Sequence, residues 1–332
     1  MQDSLANVQV LAAGEALIDL VEQPDGSFHA HAGGAAYNLA RAMALQGVDT
    51  AYLNRLSADR FGARLAEGLR EAGVRMAGEA VREPTSLAAV QLDAQGKASY
   101  AFYREGVADR VDDAQALIAR SGRFGALRAV CTGALALLPE DQPRYLPWLR
   151  HARAQGWQVV VDANLRPAAA ASLQAYRESV RAALALAHLV KASDEDLQVL
   201  LPDIADPLAA ARALFALGPV EAVALTRGAE GATLLTRDGR AWHARETAPL
   251  QIADTVGAGD CFLAGLLTGL LAEAAPAGAR CSPITAERAL ARAVASASLC
   301  VQRAGCNPPR RAEVAQWLAR GTVAVSPAAT QG

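Results

Sequence analysis

The sequence has few aromatic residues and no hydrophobic run long enough to cross a membrane. Aromatic residues make up 5% of the 332 positions, although hydrophobic residues reach 52% and charged residues 20%. This composition is typical of a globular chain and excludes a mostly disordered one. The most apolar run, residues 261–272, is shorter than the roughly 20 residues that a membrane span needs. It therefore predicts a buried helix.

Cysteine is scarce, and neither sign of charge is in large excess. The five cysteines are odd in number and none forms a Cys-x-x-Cys pair, which disfavours a disulfide framework or zinc ribbon and favours a reduced compartment. The 32 basic and 34 acidic residues give a net charge of -2, so no global field attracts nucleic acid or anionic lipid. The opening MQDSLANVQV lacks the regions of a secretory signal. We expect a cytoplasmic protein with no nucleic-acid or membrane partner.

Several short motifs with known chemistry are missing. No Gly-x-x-x-x-Gly-Lys-Ser/Thr segment occurs, which excludes a P-loop nucleoside triphosphatase. No Gly-x-Gly-x-x-Gly follows the first predicted strand, which disfavours a nicotinamide dehydrogenase. The Gly-x-Ser-x-Gly elbow and the His-Glu-x-x-His zinc motif are absent as well.

Hydrophobic periodicity instead alternates between strands and helices along the chain. Such alternation implies right-handed crossovers and a mainly parallel sheet with helices on both faces. The C-terminal third is predicted to be helical, and the tail from Ser326 to be loosely held. Strands are predicted at residues 8–12, 50–56, 128–132, 158–162, 188–191 and 220–226, and helices at 35–46, 61–72, 140–155, 173–187, 206–217, 258–274, 285–303 and 312–320.

Two stretches break the alternation. Residues 17–30 and 86–104 are typical of paired strands, with a turn at 93–96. We expect one α/β domain over residues 1–332, with a small lid sheet from about 15–32 and 85–108. Such a lid would cover the carboxyl ends of the parallel strands, where open α/β sheets bind ligands. Its free edges favour a homodimer formed through the lid.

The segment from Asp254 to Asp260 (DTVGAGD) carries the strongest chemical signal. Gly257 and Gly259 stand where a loop becomes a helix, so free backbone N–H groups and a helix dipole favour a bound phosphate there. Asp260 follows in the first turn, where a carboxylate can accept a proton from an alcohol that attacks phosphorus. The pattern predicts a phosphoryl-transfer site, with a glycine C-cap followed by a helix-terminal Asp as the structural alternative.

Six segments together resemble the ribokinase/phosphofructokinase-B family of carbohydrate kinases, and its fructokinase branch in particular. The resemblance runs in family order from about residue 8 to residue 320. It implies a three-layer ribokinase-like fold with a mainly parallel central sheet and a β-sheet lid. The matching segments are Gly14-Glu15 with Ile18-Asp19, Gly33-Gly34-Ala-Ala-Tyr-Asn38, Asp59-Arg-Phe-Gly62, Asp162-Ala-Asn-Leu-Arg166-Pro167, Thr226-Arg-Gly228-Ala-Glu-Gly231 and Asp254–Asp260.

The resemblance assigns roles to individual residues. It implies that Asp260 is the general base, that residues 256–259 form an anion hole, and that Arg166 neutralises the transferred charge. Asp19 suits a vicinal diol because a carboxylate accepts two hydroxyl hydrogens, and Asn38 offers both a donor and an acceptor. Arg104 is expected to reach the sugar from the lid. The implied catalytic residues are Asp260, Gly257, Ala258, Gly259 and Arg166, and the implied substrate-binding residues are Asp19, Gly33, Gly34, Asn38, Arg104 and Asp260.

The same resemblance implies ATP as co-substrate, Mg²⁺, and a monovalent cation such as K⁺. Asp196 is expected to orient magnesium-bound water, although Ser193 and Asp196 replace the family's Asn and Glu, and Asp194 or Glu195 are alternatives. ATP would contact Lys191, Thr226, Gly228, Gly231, Gly257 and Gly259. The cation would lie behind the anion loop on Asp254, Val256, Cys300, Arg303 and Gly305.

The function implied is ATP-dependent phosphorylation of a primary hydroxyl of a small sugar, with D-fructose the first choice. 2-Keto-3-deoxygluconate is the alternative substrate, because its carboxylate needs a cationic partner and Arg104 and Arg166 are available. Another class stays open: a sugar-binding regulator without catalysis. The presence of Asp260 and both loop glycines disfavours it, because a sensor needs neither.

Overall fold

Fourteen strands are seen in the computed structural model, which describes residues 7–92, 98–273 and 283–328. The predicted strands are all present, shorter or shifted by a few residues. In chain order they are β1 Val10–Ala12, β2 Leu17–Glu22, β3 Phe28–Gly33, β4 Thr50–Tyr52, β5 Arg75–Met76, β6 Ser86–Leu92, β7 Ala98–Tyr103, β8 Ala129–Gly133, β9 Gln158–Asp162, β10 Leu189–Ser193, β11 Ala222–Thr226, β12 Ala232–Thr236, β13 Ala241–Glu246 and β14 Val323–Pro327.

Ten of these strands form the main sheet, in the order β14-β13-β12-β11-β10-β9-β8-β1-β4-β5. The seven strands from β11 to β5 pair in parallel, and β12, β13 and β14 extend the sheet by antiparallel pairing. Both faces are covered: along β9, Val159 and Val161 enter one hydrophobic cluster while Val160 enters another. This confirms the predicted mainly parallel sheet, whose strands are apolar on both faces.

Helices cover the two faces as the periodicity predicts. One face packs against α3 to α7, where Trp148 and Tyr176 are fully buried, and the other packs against α1, α8 and α9 around Leu263 and Leu290. The helices are α1 Ala35–Leu45, α2 Arg60–Ala72, α3 Ala114–Ser121, α4 Gln142–Ala154, α5 Leu173–Leu184, α6 Asp194–Leu200, α7 Pro207–Ala213, α8 Ala258–Glu273, α9 Pro283–Cys300 and α10 Arg311–Leu318.

The predicted small sheet exists as a separate unit of four strands, in the order β3-β2-β6-β7. The predicted turn at 93–96 lies outside the described residues. The Asp59 carboxylate joins this sheet to α2: it accepts from the N–H of Gly62 at 2.7 Å and from the N–H of Thr85, just before β6, at 2.8 Å. The same side chain therefore caps a helix and anchors the lid.

The C-terminal part differs from the prediction in two ways. It is not only helical, because β12 and β13 form an antiparallel hairpin beyond β11. The expectation of a loose tail from Ser326 is wrong for residues 326–328, since Ser326 pairs with His243 in the edge strand β14, and the rest of that tail lies outside the described residues. The reason is the alternation of Val323 and Val325, which pack against the same hydrophobic cluster as α8 and α9.

Candidate active site

The polar residues singled out from the sequence gather at the carboxyl ends of the parallel strands. Asp162 ends β9, Lys191 pairs with it from β10, and Thr226 ends β11 opposite Ser193. The first turn of α8 brings Asp260 to the same edge, within the electrostatic reach of Asp162 and Lys191. Ligands of open α/β sheets bind at this edge.

Asp260 is buried, with 6% of its surface exposed, and its carboxylate has a defined partner. The Asn38 side-chain amide donates to Asp260 Oδ2 at 3.0 Å. Burial and the nearby charge of Asp162 raise the pKa of Asp260 to about 7, against the lowering effects of Asn38, Lys191 and Arg166. A carboxyl group with this pKa can exchange a proton near neutral pH, as a general base must.

Lys191 and Asp162 form a buried ion pair beside Asp260. The Lys191 ammonium lies 2.9 Å from Asp162 Oδ1, and each residue is only 4% exposed. Burial alone would lower the pKa of Lys191, but the charges of Asp162 and Asp196 raise it, so the ammonium is retained. A Cβ atom on Gly259 would lie 2.9 Å from Lys191 Nζ, so the glycine leaves room for this cation beneath the loop.

The loop that leads into α8 presents unpaired backbone N–H groups. Val256 donates its N–H to Asp254 Oδ1 at 3.0 Å and Ala258 donates to Thr255 O at 3.2 Å, so these two N–H groups already have acceptors. The N–H groups of Gly257, Gly259 and Asp260 have no acceptor among the residues that the structure describes. At the N-terminus of a 16-residue helix, these three groups can bind an anion.

Asp19, Gly33 and Gly34 lie together where the small sheet meets α1. A Cβ on Gly33 would stand 2.3 Å from Asp19 Oδ2, and a Cβ on Gly34 would stand 2.5 Å from the carbonyl oxygen of Glu15. Gly34 also has a φ of +106°, which favours glycine. Both glycines are therefore required by close packing. Burial raises the pKa of Asp19 to about 6, while the charge of Arg166 opposes that rise.

Arg166 faces this group of carboxylates without forming an ion pair in the described part of the chain. Its guanidinium donates to the carbonyl oxygens of Asn164 and Leu165 at 3.2 and 3.0 Å. Its charge acts on Asp19 and Asp260. Asn164 holds the loop in a left-handed conformation with φ +37°, which is uncommon outside glycine. The positive charge of Arg166 thus acts on carboxylates of both the small sheet and α8.

Arg104 does not join this group, and the expectation that it reaches the sugar stays a prediction. The Arg104 guanidinium donates to Asp141 at 3.0 Å and lies 3.5 Å from Asp109, and all three residues are buried. It lines a cavity of about 500 Å³ whose walls do not include Asp19, Asn38 or Asp260. Its charge is compensated there by the two carboxylates.

Gly228 and Gly231, the two glycines of the motif at 226–231 that are predicted to contact ATP, are constrained by their surroundings to different degrees. Gly228 has a φ of +49°, and nothing lies within 4 Å of the position that its Cβ would take. At Gly231, with φ +91°, a Cβ would lie 2.2 Å from the carbonyl oxygen of Ala244. The hairpin packing of β12 and β13 is therefore enough to require Gly231, and the expectation that it permits nucleotide approach gains no support from this geometry.

Asp196 is buried, and both of its carboxylate oxygens accept hydrogen bonds from backbone amides. Its Oδ1 accepts from the N–H of Leu165 at 2.7 Å and its Oδ2 accepts from the N–H of Ser193 at 2.8 Å. Together with Ser193 it forms a capping box at the start of α6. Ser193 and Asp196 thus form a reciprocal helix cap that also holds the loop leading to Arg166. Asp194 and Glu195 lie at the surface of the same turn.

The residues predicted to surround a monovalent cation do come together. Asp254 accepts from the N–H of Val256 at 3.0 Å and from the N–H of Gly305 at 2.9 Å, which joins the anion loop to the segment after α9. The Cys300 thiol contacts Val256 O at 3.7 Å. The Cys300 carbonyl accepts from the N–H of Arg303, whose side chain pairs with Glu313.

Two buried carboxylates of the matching segments, Glu15 and Asp162, have no role in the sequence analysis. Asp162 pairs with Lys191, as described above. Glu15 is 3% exposed and accepts from the N–H of Ala35 at 3.0 Å, at the start of α1, while its Oε2 has no partner. Burial raises the pKa of Glu15 to about 7. The available signal was the apolar sequence around each of them, at the end of β9 for Asp162 and between β1 and β2 for Glu15, because a charged residue in such a segment is rarely placed without a partner.

No helix in residues 7–92, 98–273 and 283–328 is long and apolar enough to span a membrane. A family model described as pfkB family carbohydrate kinase matches residues 8–313. A fructokinase of Rhizobium leguminosarum bv. trifolii is 33% identical over 267 residues, which cover 79% of this chain and 79% of that protein. A fructokinase of Escherichia coli is 31% identical over 271 residues, which cover 80% of this chain and 85% of that protein.

A solved structure has the same architecture. The fructokinase of Xylella fastidiosa with bound ATP superimposes with a TM-score of 0.84 at 27% identity, covering 95% of this chain and 99% of that one. The agreement over nearly all of both chains confirms the ribokinase-like α/β fold with its separate small sheet.

Proposed function

The chain belongs to the pfkB family of carbohydrate kinases, and we propose that it transfers the γ-phosphate of ATP to a primary hydroxyl of D-fructose, giving fructose 6-phosphate. Membership in the family and its similarity to fructokinases make it an ATP-dependent sugar kinase. The observation that carries the proposal is the contact between Asn38 and Asp260, which joins the Gly-Gly segment to the anion loop at one point.

The sugar is proposed to bind between the lid and α1. Asp19 lies on β2 and is partly exposed, with no hydrogen-bond partner among the described residues, so its carboxylate is available to two neighbouring hydroxyls. Gly33 and Gly34 keep the backbone close behind it. Asn38 has a second polar atom, Oδ1, which is buried without a partner and can accept a sugar hydroxyl.

Phosphoryl transfer is proposed to follow from Asp260 and the loop in front of it. Asp260 takes the proton from the attacking hydroxyl as the oxygen–phosphorus bond forms and the bond to the leaving ADP oxygen breaks. The free N–H groups of Gly257, Gly259 and Asp260 then face the oxygens whose negative charge grows. Arg166 and Lys191 hold positive charge on the same side. The lid excludes water, which limits hydrolysis of ATP.

Magnesium fits the chemistry of the residues at this edge of the sheet. Asp162 and Asp196 are carboxylates beside Lys191, and Mg²⁺ prefers oxygen ligands, commonly one or two carboxylates plus phosphate oxygens and water. Because both oxygens of Asp196 already accept backbone N–H groups, this residue would hold a magnesium-bound water through its remaining lone pairs. The ion, when bound, neutralises phosphate charge.

Fructose is favoured over 2-keto-3-deoxygluconate by the position of the two arginines. A substrate carboxylate needs an uncompensated cation, and Arg104 is neutralised by Asp141 and Asp109. One observation supports the acid substrate: Arg166 forms no ion pair among the described residues, and its charge acts on Asp19 in the proposed sugar site. The ATP contacts at Thr226 and Gly228, the K⁺ site, the lid-mediated homodimer and the cytoplasmic location stay predictions.

The substrate is tested by sugar-dependent ADP release with Mg-ATP and K⁺ across fructose, 2-keto-3-deoxygluconate, ribose and adenosine. The proposal expects the highest kcat/KM with fructose. A signal only with 2-keto-3-deoxygluconate would keep the kinase and replace the substrate, and Arg166→Ala should then raise KM for that acid more than it lowers kcat. Stabilisation by fructose against heat, without ADP release from any sugar, would support the regulator instead.

A further inference from the structure

Three of the five cysteines meet behind the anion loop. Cys261 lies in the first turns of α8, Cys300 ends α9, and Cys306 follows in the next loop, yet their sulfur atoms all lie within 4.8 Å of one another. In the described ranges this is the only set of three or more Cys, His, Asp or Glu side chains placed to share a metal ion. Cys261 and Cys300 are fully buried and Cys306 is half-buried, so the cluster has one accessible side.

The spacing of the sulfurs suits a thiophilic ion. Zinc–sulfur bonds are about 2.3 Å long, so three sulfurs of a tetrahedral site stand roughly 3.8 Å apart. A cluster within 4.8 Å needs only small side-chain movements to reach that geometry. Three thiolates without a carboxylate or imidazole select soft d10 ions and leave a fourth position for solvent at the half-buried Cys306.

Each cysteine of the cluster touches the loop that presents the free N–H groups. The Cys300 thiol lies 3.7 Å from Val256 O, and the N–H of Cys261 donates to Gly257 O at 2.9 Å. The Cys306 sulfur occupies the space beside Gly257, where a Cβ atom would be only 2.2 Å away. Any movement or charge at the three sulfurs is therefore transmitted directly to residues 256–257.

We propose that Cys261, Cys300 and Cys306 bind a thiophilic d10 metal ion, Zn²⁺ or Cu⁺, and that the bound ion inhibits the kinase. Three thiolates that hold Zn²⁺ leave a net charge of -1 next to residues 256–257, and three that hold Cu⁺ leave -2. That charge opposes the anion that the loop binds during transfer. The ion also fixes Cys306 against Gly257 and Cys300 against Val256.

Binding is tested on the full chain. A phosphine keeps the protein reduced, so that no disulfide forms, and an excess of Mg²⁺ fills the sites with oxygen ligands. Zn²⁺ and Cu⁺ are titrated separately by equilibrium dialysis, and Co²⁺ reports thiolate ligation through its sulfur-to-metal absorption band. We expect one ion per chain. Cys306→Ser should weaken binding more than about tenfold, since losing even an outer partner of a metal ligand costs about that much.

Cys131→Ala provides the matched control, because Cys131 is buried in β8 outside the cluster. It should bind the ion as the wild type does. The inhibition is measured as the ratio of ADP release with and without the ion in each protein. A large ratio in the wild type and in Cys131→Ala, and a ratio near one in Cys306→Ser, supports the proposal.

Two results would overturn it. The first is the absence of stoichiometric binding of either ion to the reduced wild type. The second is equal affinity and equal inhibition in Cys306→Ser and Cys131→Ala, which would place the ion at the ATP site or elsewhere.

Discussion

The Asn38 amide donates to the Asp260 carboxylate at 3.0 Å, although 222 residues separate the two positions in sequence. Asn38 stands on α1, one turn after Gly33, which packs against Asp19, and Gly34, which packs against Glu15. Asp260 stands on α8, next to the free N–H groups of the anion loop. This contact fixes the distance between the proposed sugar side and the proposed phosphate side. It also stabilises the ionised form of Asp260, the form that a general base requires.

The activity of the wild type should fall on the acid side of neutrality. Burial raises the pKa of Asp260 to about 7, and the base acts only when it is ionised. We therefore expect kcat/KM for the sugar to rise with pH through about 7 and then to level off. Asn38→Ala removes a group that lowers this pKa, so the acid limb should move to higher pH by up to about one unit. Steady-state kinetics across pH check both. An acid limb that is unchanged in the variant would contradict the assignment.

Gly257→Ala should disable the anion loop. An alanine there must adopt a φ near +78° and place its Cβ against the sulfur of Cys306. The left-handed conformation costs about 1–2 kcal/mol. Displacement of the loop by about 1 Å should lower kcat by roughly a hundredfold. Gly239→Ala is the control, because φ is +89° and nothing lies within 4 Å. This control variant should be less stable than the wild type but should keep its turnover. Equal turnover in the two variants would rule out the loop as the anion site.

Gly33→Ala should act through Asp19. The added methyl would meet Asp19 Oδ2 at 2.3 Å, so the carboxylate must turn away from the sugar. Loss of a charged hydrogen bond of about 1.5–3 kcal/mol raises KM for the sugar roughly 10–100-fold. Asp19→Ala should have a similar effect, and Gly33→Ala should add little to it in the double variant. Additive effects in this cycle would mean that Gly33 acts independently of Asp19.

Lys191→Met should destabilise the protein by leaving Asp162 buried without its cation. Breaking a buried pair on one side costs about 3–5 kcal/mol. Adding Asp162→Asn to Lys191→Met should restore much of that stability, because the uncompensated charge is then gone. Urea unfolding of the three proteins measures the difference. A double variant as unstable as Lys191→Met would show that the ammonium acts through other partners, such as Asp260.

The parallel sheet was predicted from the apolar strands alone, whereas the polar residues at the strand ends entered the predicted site mainly through the resemblance to the kinase family. Asp162, Lys191 and Thr226 each lie in or at the end of a short hydrophobic segment, and strand ends of a parallel sheet meet at one edge. The glycine-rich loop before α8 carried its own signal through dipole and backbone geometry. Local patterns were sufficient for both features.

Partners that come from distant parts of the chain could not be predicted in the same way. Arg104 has the side-chain chemistry of a sugar contact. Whether it faces a substrate or a carboxylate depends on Asp141, which belongs to the distant segment before α4. Asp196 similarly has the chemistry of a magnesium ligand, and its use as a helix cap depends on Ser193 and on the Leu165 amide. The strand β14 needed the edge of β13, which no local pattern shows.

The most direct test of the account is the turnover of Asp260→Asn with fructose and Mg-ATP. The variant keeps an acceptor for the Asn38 amide but cannot take a proton, so kcat should fall about 10²–10⁴-fold. Its melting temperature at pH 8 should not fall. A carboxyl whose pKa is raised from 3.8 to about 7 weakens the folded state as pH rises through that range, and the amide removes this effect. Thermal stabilisation by fructose should persist. A stable variant with turnover near the wild-type value would contradict the role of Asp260 and the mechanism built on it.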